Sequence, residues 1–148
     1  MNPWSLHTAL FAKHAQHVVL IHFPIALFLV GVALDFVATW SGRKDLASSA
    51  YLSLTIAAFS AIPAVATGLL AWQWELEGRR IRGILLFHLI AGCVSLLLMF
   101  AVWRIHRSGR RAQAVRLPAY RWPLELLAVF IVGLTGHLGG FLSGVNHP

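Results

Sequence analysis

The stretch VVLIHFPIALFLVGVALDFVATW, residues 18–40, decides the fold class. With histidine counted as neutral, Asp35 is its one charged residue. A helix of about 20 apolar residues crosses the hydrocarbon core of a bilayer, so the stretch predicts a transmembrane helix. Its apolar run exceeds the ~7–15 residues of a signal-peptide core, which favours a retained span over a cleaved leader.

The composition of the whole chain also indicates a lipid environment. Of the 148 residues, 58% are hydrophobic and 11% are charged, and the mean hydropathy is +0.72. Soluble domains average about 45–50% apolar and about 25% charged residues, which argues against a soluble enzyme, a coiled coil or a disordered tail. Three more stretches, residues 46–74, 84–103 and 118–142, are long and apolar enough to span. Because open sheets are excluded from lipid, we predict an all-α membrane protein. Residues 1–148 would form one domain, an up-down bundle of four transmembrane helices.

The basic residues predict the orientation of this bundle. Eight lie near the inner connectors and four lie on the opposite side. The eight are Arg43, Lys44, Arg104, Arg107, Arg110, Arg111, Arg116 and Arg121, and the four are Lys13, Arg79, Arg80 and Arg82. Since cytoplasmic loops carry the excess of Lys and Arg, we expect both termini outside, in a multi-pass protein of the bacterial inner (plasma) membrane. The net charge of +7 therefore reflects topology, and no nucleic-acid partner is expected.

Histidine is the unusual residue of the chain, with 8 copies against one cysteine, Cys93. A single cysteine excludes an intramolecular disulfide, a cysteine metal cluster and a c-type haem attachment motif. His22, His88 and His137 belong to three different predicted helices, and the helical rise places each roughly 5–10 Å below the outer boundary. Ionisable groups at that depth mark functional sites, so the three predict a shared ligand site.

Haem is the ligand that these surroundings favour. Zinc and copper sites usually add a carboxylate or thiolate, and the sequence has none at this depth. Haem needs one or two axial imidazoles, a flat apolar slot and basic groups for its propionates. Small residues lie four positions from the three histidines, and a basic cluster lies at the rim. These candidates are Ala26, Gly92 and Gly133 for the slot and Arg79, Arg80 and Arg82 for the propionates.

The bundle topology suggests which histidines ligate. The first and third helices of a simple bundle can lie diagonally across the core, so His22 and His88 are the predicted axial pair. His137 is the alternate ligand or a donor to the haem edge, and His17 is the next candidate. Four candidates leave room for a second haem b.

Two carboxylates, Asp35 and Glu125, lie near the predicted inner ends of their helices. Arg121 is one helical turn from Glu125, and this spacing predicts an ion pair between the two.

The segment HVVLIHFPIAL, residues 17–27, resembles the opening motif of the bacterial membrane family known as domain of unknown function 2231. Gly68, Trp72, His88 and the GHLGG stretch at residues 136–140 match later signatures of that family, so the resemblance covers nearly the whole chain. GHLGG is also similar to a stretch in membrane regions joined to c-type cytochrome domains. That similarity implies a redox setting at the outer face.

Together these patterns predict a b-type cytochrome-like electron-transfer subunit rather than a stand-alone enzyme, with haem b near the outer leaflet. The expected partners are membrane lipid, a quinone and a cytochrome c, with the chain in a larger complex or a homo-oligomer. Two alternatives stay open. One is a cofactor-free anchor or assembly subunit whose histidines bond between helices. The other is an outward-facing metal-handling or transport protein with His22, His88 and His137 as ligands.

Overall fold

The structure, a computed structural model, describes residues 15–75, 80–114 and 116–144. It contains four helices and, within the described residues, no strand. They are α1 (Ala15–Ser41), α2 (Lys44–Glu75), α3 (Ile84–Arg111) and α4 (Arg121–Leu142). Each helix has a window long and apolar enough to cross a membrane. The predicted fold class, an all-α membrane protein with four spans, is therefore confirmed.

Helix α3 continues well past the predicted end of its span at Trp103. The part of α3 beyond Trp103 is rich in arginine, which is a good helix former. Two of these arginines lie over aromatic rings. The guanidinium of Arg107 is 4.9 Å from the ring centroid of Trp103, and that of Arg110 is 4.6 Å from the ring centroid of Tyr51. Much of the predicted basic connector therefore consists of the last two turns of α3, stabilised by cation–π contacts.

The helices pack as two hairpins. Helix α1 lies mainly against α2, and α3 lies mainly against α4. Contacts between α2 and α3 join the hairpins, while α1 and α4 touch over a short stretch. The shared core contains Phe28, Leu54, Val102 and Val132, each less than 2% exposed. Outside this core the surface is apolar, with Leu97 68% exposed, as expected of helices that face lipid.

The two hairpins repeat the same pattern of buried positions at a spacing of 71 residues. Between α1 and α3 the matching buried pairs are Pro24 with Ser95, Phe28 with Met99, Gly31 with Val102 and Asp35 with His106. Between α2 and α4 they are Ala50 with Arg121, Leu54 with Glu125, Ala57 with Ala128 and Ala61 with Val132. Few of these pairs keep the same residue, which hides the repeat from a reading of the sequence alone.

The repeat has a geometric consequence. The two hairpins run in the same direction, so equivalent residues of α1 and α3, or of α2 and α4, lie towards the same end of the bundle. Among the equivalent pairs that do keep their identity are His17 with His88 and Gly68 with Gly139. These four residues lie at one end of the bundle, where α1 and α3 begin and α2 and α4 end.

Candidate functional site

Polar side chains gather at both ends of the bundle. We call the end that holds His17, Gly68, His88 and Gly139 the histidine end. The opposite end, where Asp35, His106, Arg121 and Glu125 lie, we call the acidic end.

His17, half-buried on α1, points at α2. Its Nδ1 lies 3.3 Å from the hydroxyl oxygen of Thr67, and its ring is within hydrogen-bonding reach of the Ala64 carbonyl. Gly68 lies beneath the ring, since a Cβ at that position would be 2.9 Å from His17 Cε1. A larger residue there would displace the imidazole, so the glycine allows the ring to approach α2 closely.

His88, half-buried on α3, repeats this arrangement against α4. Its Nδ1 donates to the carbonyl oxygen of Thr135 at 3.1 Å. A Cβ at Gly139 would be 3.1 Å from His88 Cε1, tighter than an ordinary contact. Each imidazole therefore bonds through Nδ1 to the second helix of its own hairpin, His17 to the Thr67 hydroxyl and His88 to the Thr135 carbonyl.

These hydrogen bonds determine which ring nitrogen of His88 is available. A carbonyl oxygen can only accept, so Nδ1 of His88 carries the proton and Nε2 presents its lone pair. Histidines that bind metals or haem iron are commonly oriented by such a bond from Nδ1–H to a backbone carbonyl. His22 has the same tautomer, because its Nδ1 donates to the Val18 carbonyl at 2.6 Å.

His17 and His88 are both half-buried and occupy equivalent positions of the two hairpins at this end of the bundle. His22 is exposed on α1 and bonded to its own helix, and His137 is exposed on α4 with its ring 4.9 Å from that of Phe141. In the repeat, His22 corresponds to Cys93 and His137 to Ala66, so neither has a histidine counterpart. The 71-residue spacing of His17 and His88 was the sequence signal that would have ranked His17 above His22 and His137 as a candidate site residue.

The remaining predicted site residues lie around this end. A Cβ at Gly92 would be 3.9 Å from Thr135 Cγ2, whereas Gly133 faces open space. Arg80 and Arg82 are exposed in the connector before α3. Arg79 lies outside the described residues.

At the acidic end, Arg121 of α4 forms an ion pair across to α1. Its Nε donates to Asp35 Oδ2 at 2.9 Å and its Nη2 donates to Thr39 Oγ1 at 2.7 Å. The predicted pair between Arg121 and Glu125 is wrong, because Arg121 reaches across to the neighbouring helix instead of along its own. Both members of the actual pair are buried.

Glu125 bonds instead to His106 of α3, whose Nε2 is 2.9 Å from Oε1. Asp35, His106 and Glu125 each present a ligand atom, and these atoms lie within 4.8 Å of one another. The second carboxyl oxygen of Glu125, Oε2, is buried and has no hydrogen-bond partner among the described residues. Sequence reasoning missed this cluster, although the 71-residue spacing of Asp35 and His106 places the two at one depth.

The four spans and the two buried polar ends define a small helical membrane protein with ionisable residues inside its bundle. The chain belongs to the family of predicted membrane proteins DUF2231, whose model matches residues 13–146. This confirms the resemblance drawn from the His17 and His88 motifs. Neither the curated proteins nor the solved structures contain a significant match.

Proposed function

We propose that the histidine end binds haem b between His17 and His88, and that the protein transfers electrons as a b-type cytochrome. The observation that carries the proposal is the pair of equivalent, half-buried imidazoles at one end of the bundle, one from each hairpin and each hydrogen-bonded through Nδ1 to the neighbouring helix. Histidine is among the residues that hold haem iron in proteins, and helix bundles build cofactor sites from side chains on facing helices. His17 thereby takes the place of His22 as the proposed partner of His88.

The surroundings of both rings fit a haem ligand. Thr67 donates its hydroxyl proton to carbonyls of its own helix, so its oxygen accepts from Nδ1 of His17. Nδ1 of His88 is held by Thr135. Gly68 and Gly139 let both imidazoles lie close to the helix backbone, where their orientation is restricted. The protein thus fixes the ligand rings and keeps the site apolar, while haem, when bound, supplies the one-electron chemistry of its iron.

Haem fits this donor set better than zinc or copper does. The described residues that bond to or lie under the two rings are threonine, alanine and glycine, and none is a carboxylate or a thiolate. Zinc and copper sites usually include such a ligand. Arg80 and Arg82, exposed in the connector at this end, could form charge-assisted hydrogen bonds with propionates.

An absorption spectrum tests the proposal. Protein purified from cells with ample haem should show a Soret band that sharpens and shifts on reduction with dithionite. His17→Ala and His88→Ala should each abolish the low-spin spectrum, because each removes one axial ligand. His22→Ala and His137→Ala are the matched controls and should retain it. A colourless wild-type protein, or a spectrum unchanged by both His17→Ala and His88→Ala, would contradict the proposal.

The second candidate is a cofactor-free anchor, and one observation favours it. The imidazoles of His17 and His88 both form hydrogen bonds to a neighbouring helix, as expected of side chains that stabilise helix packing. Such bonds contribute about 0.6 kcal/mol on average in membrane proteins. An anchor would lose stability with His88→Ala and would take up no haem under any condition.

The proposed electron transfer requires the histidine end to face outside, toward a partner such as a cytochrome c. In a Cys93→Ser background, a cysteine introduced by Ser143→Cys would lie near the histidine end, and one introduced by Ser41→Cys at the acidic end. Both serines are exposed. On intact spheroplasts of a bacterial host, a membrane-impermeant maleimide should label Ser143→Cys and spare Ser41→Cys until the cells are lysed. The reverse pattern would contradict the orientation that the positive-inside rule predicts.

A further inference from the structure

A groove runs between α1 and α4 at the acidic end, with a volume of about 710 Å³. Helices α1 and α4 touch over a short stretch, so the groove opens sideways toward the surrounding lipid. Its walls are apolar, with an aromatic cluster on one side. The lining includes Val32, Phe36, Trp40, Trp122, Glu125 and Leu126.

Glu125 is the one ionisable residue of this lining. Its side chain is 0% exposed, and Oε1 is taken by His106. Oε2 has no donor among the described residues. A buried polar oxygen without a partner destabilises the fold, and more so when it is charged, so a group that donates a hydrogen bond to it would be bound favourably.

Arg121, the cationic donor nearest to this lining, is already committed. Arg121 is bonded to Asp35 and Thr39, and its guanidinium lies 4.0 Å from the ring centroid of Trp122. A ligand in the groove must therefore bring its own donor to Glu125. It must also be soluble in lipid, because the groove is reached from the bilayer and its walls are apolar.

We propose that this groove binds a quinol. One hydroxyl would donate to Oε2 of Glu125, the ring would lie against the aromatic walls formed by Phe36, Trp40 and Trp122, and the isoprenoid tail would extend into the bilayer. A phospholipid headgroup suits the groove less well, since no lysine or arginine lines it to pair with a phosphate. The groove lies at the other end of the bundle from His17 and His88, so the proposal stands apart from haem binding.

Equilibrium binding to the protein in nanodiscs tests this, with a decyl-chain benzoquinol kept reduced under anaerobic conditions as the probe. Its dimethyl ether has the same ring and tail but no hydroxyl donor, and empty nanodiscs give the partition blank. We expect the quinol to bind at least tenfold more tightly than the ether. Glu125→Gln should remove that difference, because it presents an amide N–H₂ where the quinol needs an acceptor.

A second variant distinguishes loss of quinol binding from misfolding of Glu125→Gln. Ala33 is exposed on the groove wall, so Ala33→Trp should fill the groove and weaken quinol binding at least tenfold without touching the buried cluster. Leu97→Trp, on the exposed face of α3, is the matched control and should leave binding unchanged. Equal binding of quinol and ether in every variant would overturn the proposal, as would displacement of the quinol by phosphatidylethanolamine at ordinary bilayer content.

Discussion

Replacing Arg121 with methionine should lower the free energy of unfolding by about 3–5 kcal/mol, the largest effect we expect from a single substitution in this chain. The reason is the charge left behind. Asp35 is 4% exposed, and Arg121 bonds to it at 2.9 Å. Without the guanidinium, the carboxylate would be buried inside the bundle beside a second carboxyl group, that of Glu125.

Thermal unfolding of the purified protein in a mild detergent, followed by circular dichroism, measures this effect. Arg111→Met is the matched control, because Arg111 is exposed at the end of α3 and should change stability by less than about 1 kcal/mol. The double variant Asp35→Leu with Arg121→Met removes both charges and should recover most of the loss. If Arg121→Met alone melts like the wild type, the buried ion pair does not hold α1 to α4.

The second large effect is expected at Gly31, where α1 lies close against α2. A Cβ at this position would be 2.8 Å from Cγ of Leu54 and 3.2 Å from its backbone nitrogen. A flexible leucine side chain can move aside, but the backbone of α2 cannot do so without separating the helices. Gly31→Val should therefore destabilise the bundle by about 2–3 kcal/mol through overpacking.

Gly133→Val provides the comparison for this prediction, since a Cβ at Gly133 meets nothing within 4 Å. Both substitutions place a β-branched residue in a helix, so their difference isolates the packing of α1 on α2. In a Leu54→Ala background, Gly31→Val should lose only the part of its cost that is due to the leucine side chain, because the backbone nitrogen of residue 54 remains 3.2 Å from the new Cβ. Equal melting temperatures for the two valine variants would show that the close approach of α1 and α2 at Gly31 does not contribute to stability.

The fold class and the four spans could be predicted because they depend on hydrophobicity alone. Lipid as solvent leaves helices as the one arrangement that these apolar stretches can adopt. The ends of the helices were harder, because α3 is extended by arginines that a hydrophobicity argument assigns to a loop. Arg107 and Arg110 remain helical there and lie over Trp103 and Tyr51.

Whether a residue joins a candidate site depends on its rotation about the helix axis as well as on its depth in the membrane. The sequence indicates the depth but not the rotation. Depth follows from counting residues along a helix, and that count predicted a similar depth for His22, His88 and His137. Rotation depends on how neighbouring helices pack, and it turned His22 to the exposed face. The same limit explains why the partner of Arg121 was predicted wrongly. Its actual partner, Asp35, is 86 residues away on a different helix, and rules for residue spacing within one helix cannot identify it.

The internal repeat also explains why the two hairpins are better joined in one chain than built from two copies of one hairpin. In a homodimer every substitution occurs twice, so two α1–α2 hairpins would bury a pair of aspartates with Ala50, rather than an arginine, on each opposing helix. In a single chain each half can carry its own residues. Arg121 stands where the other half has Ala50, and Glu125 where it has Leu54, while His17 and His88 match. The histidine end therefore presents the same residues from both hairpins, and the acidic end presents different ones.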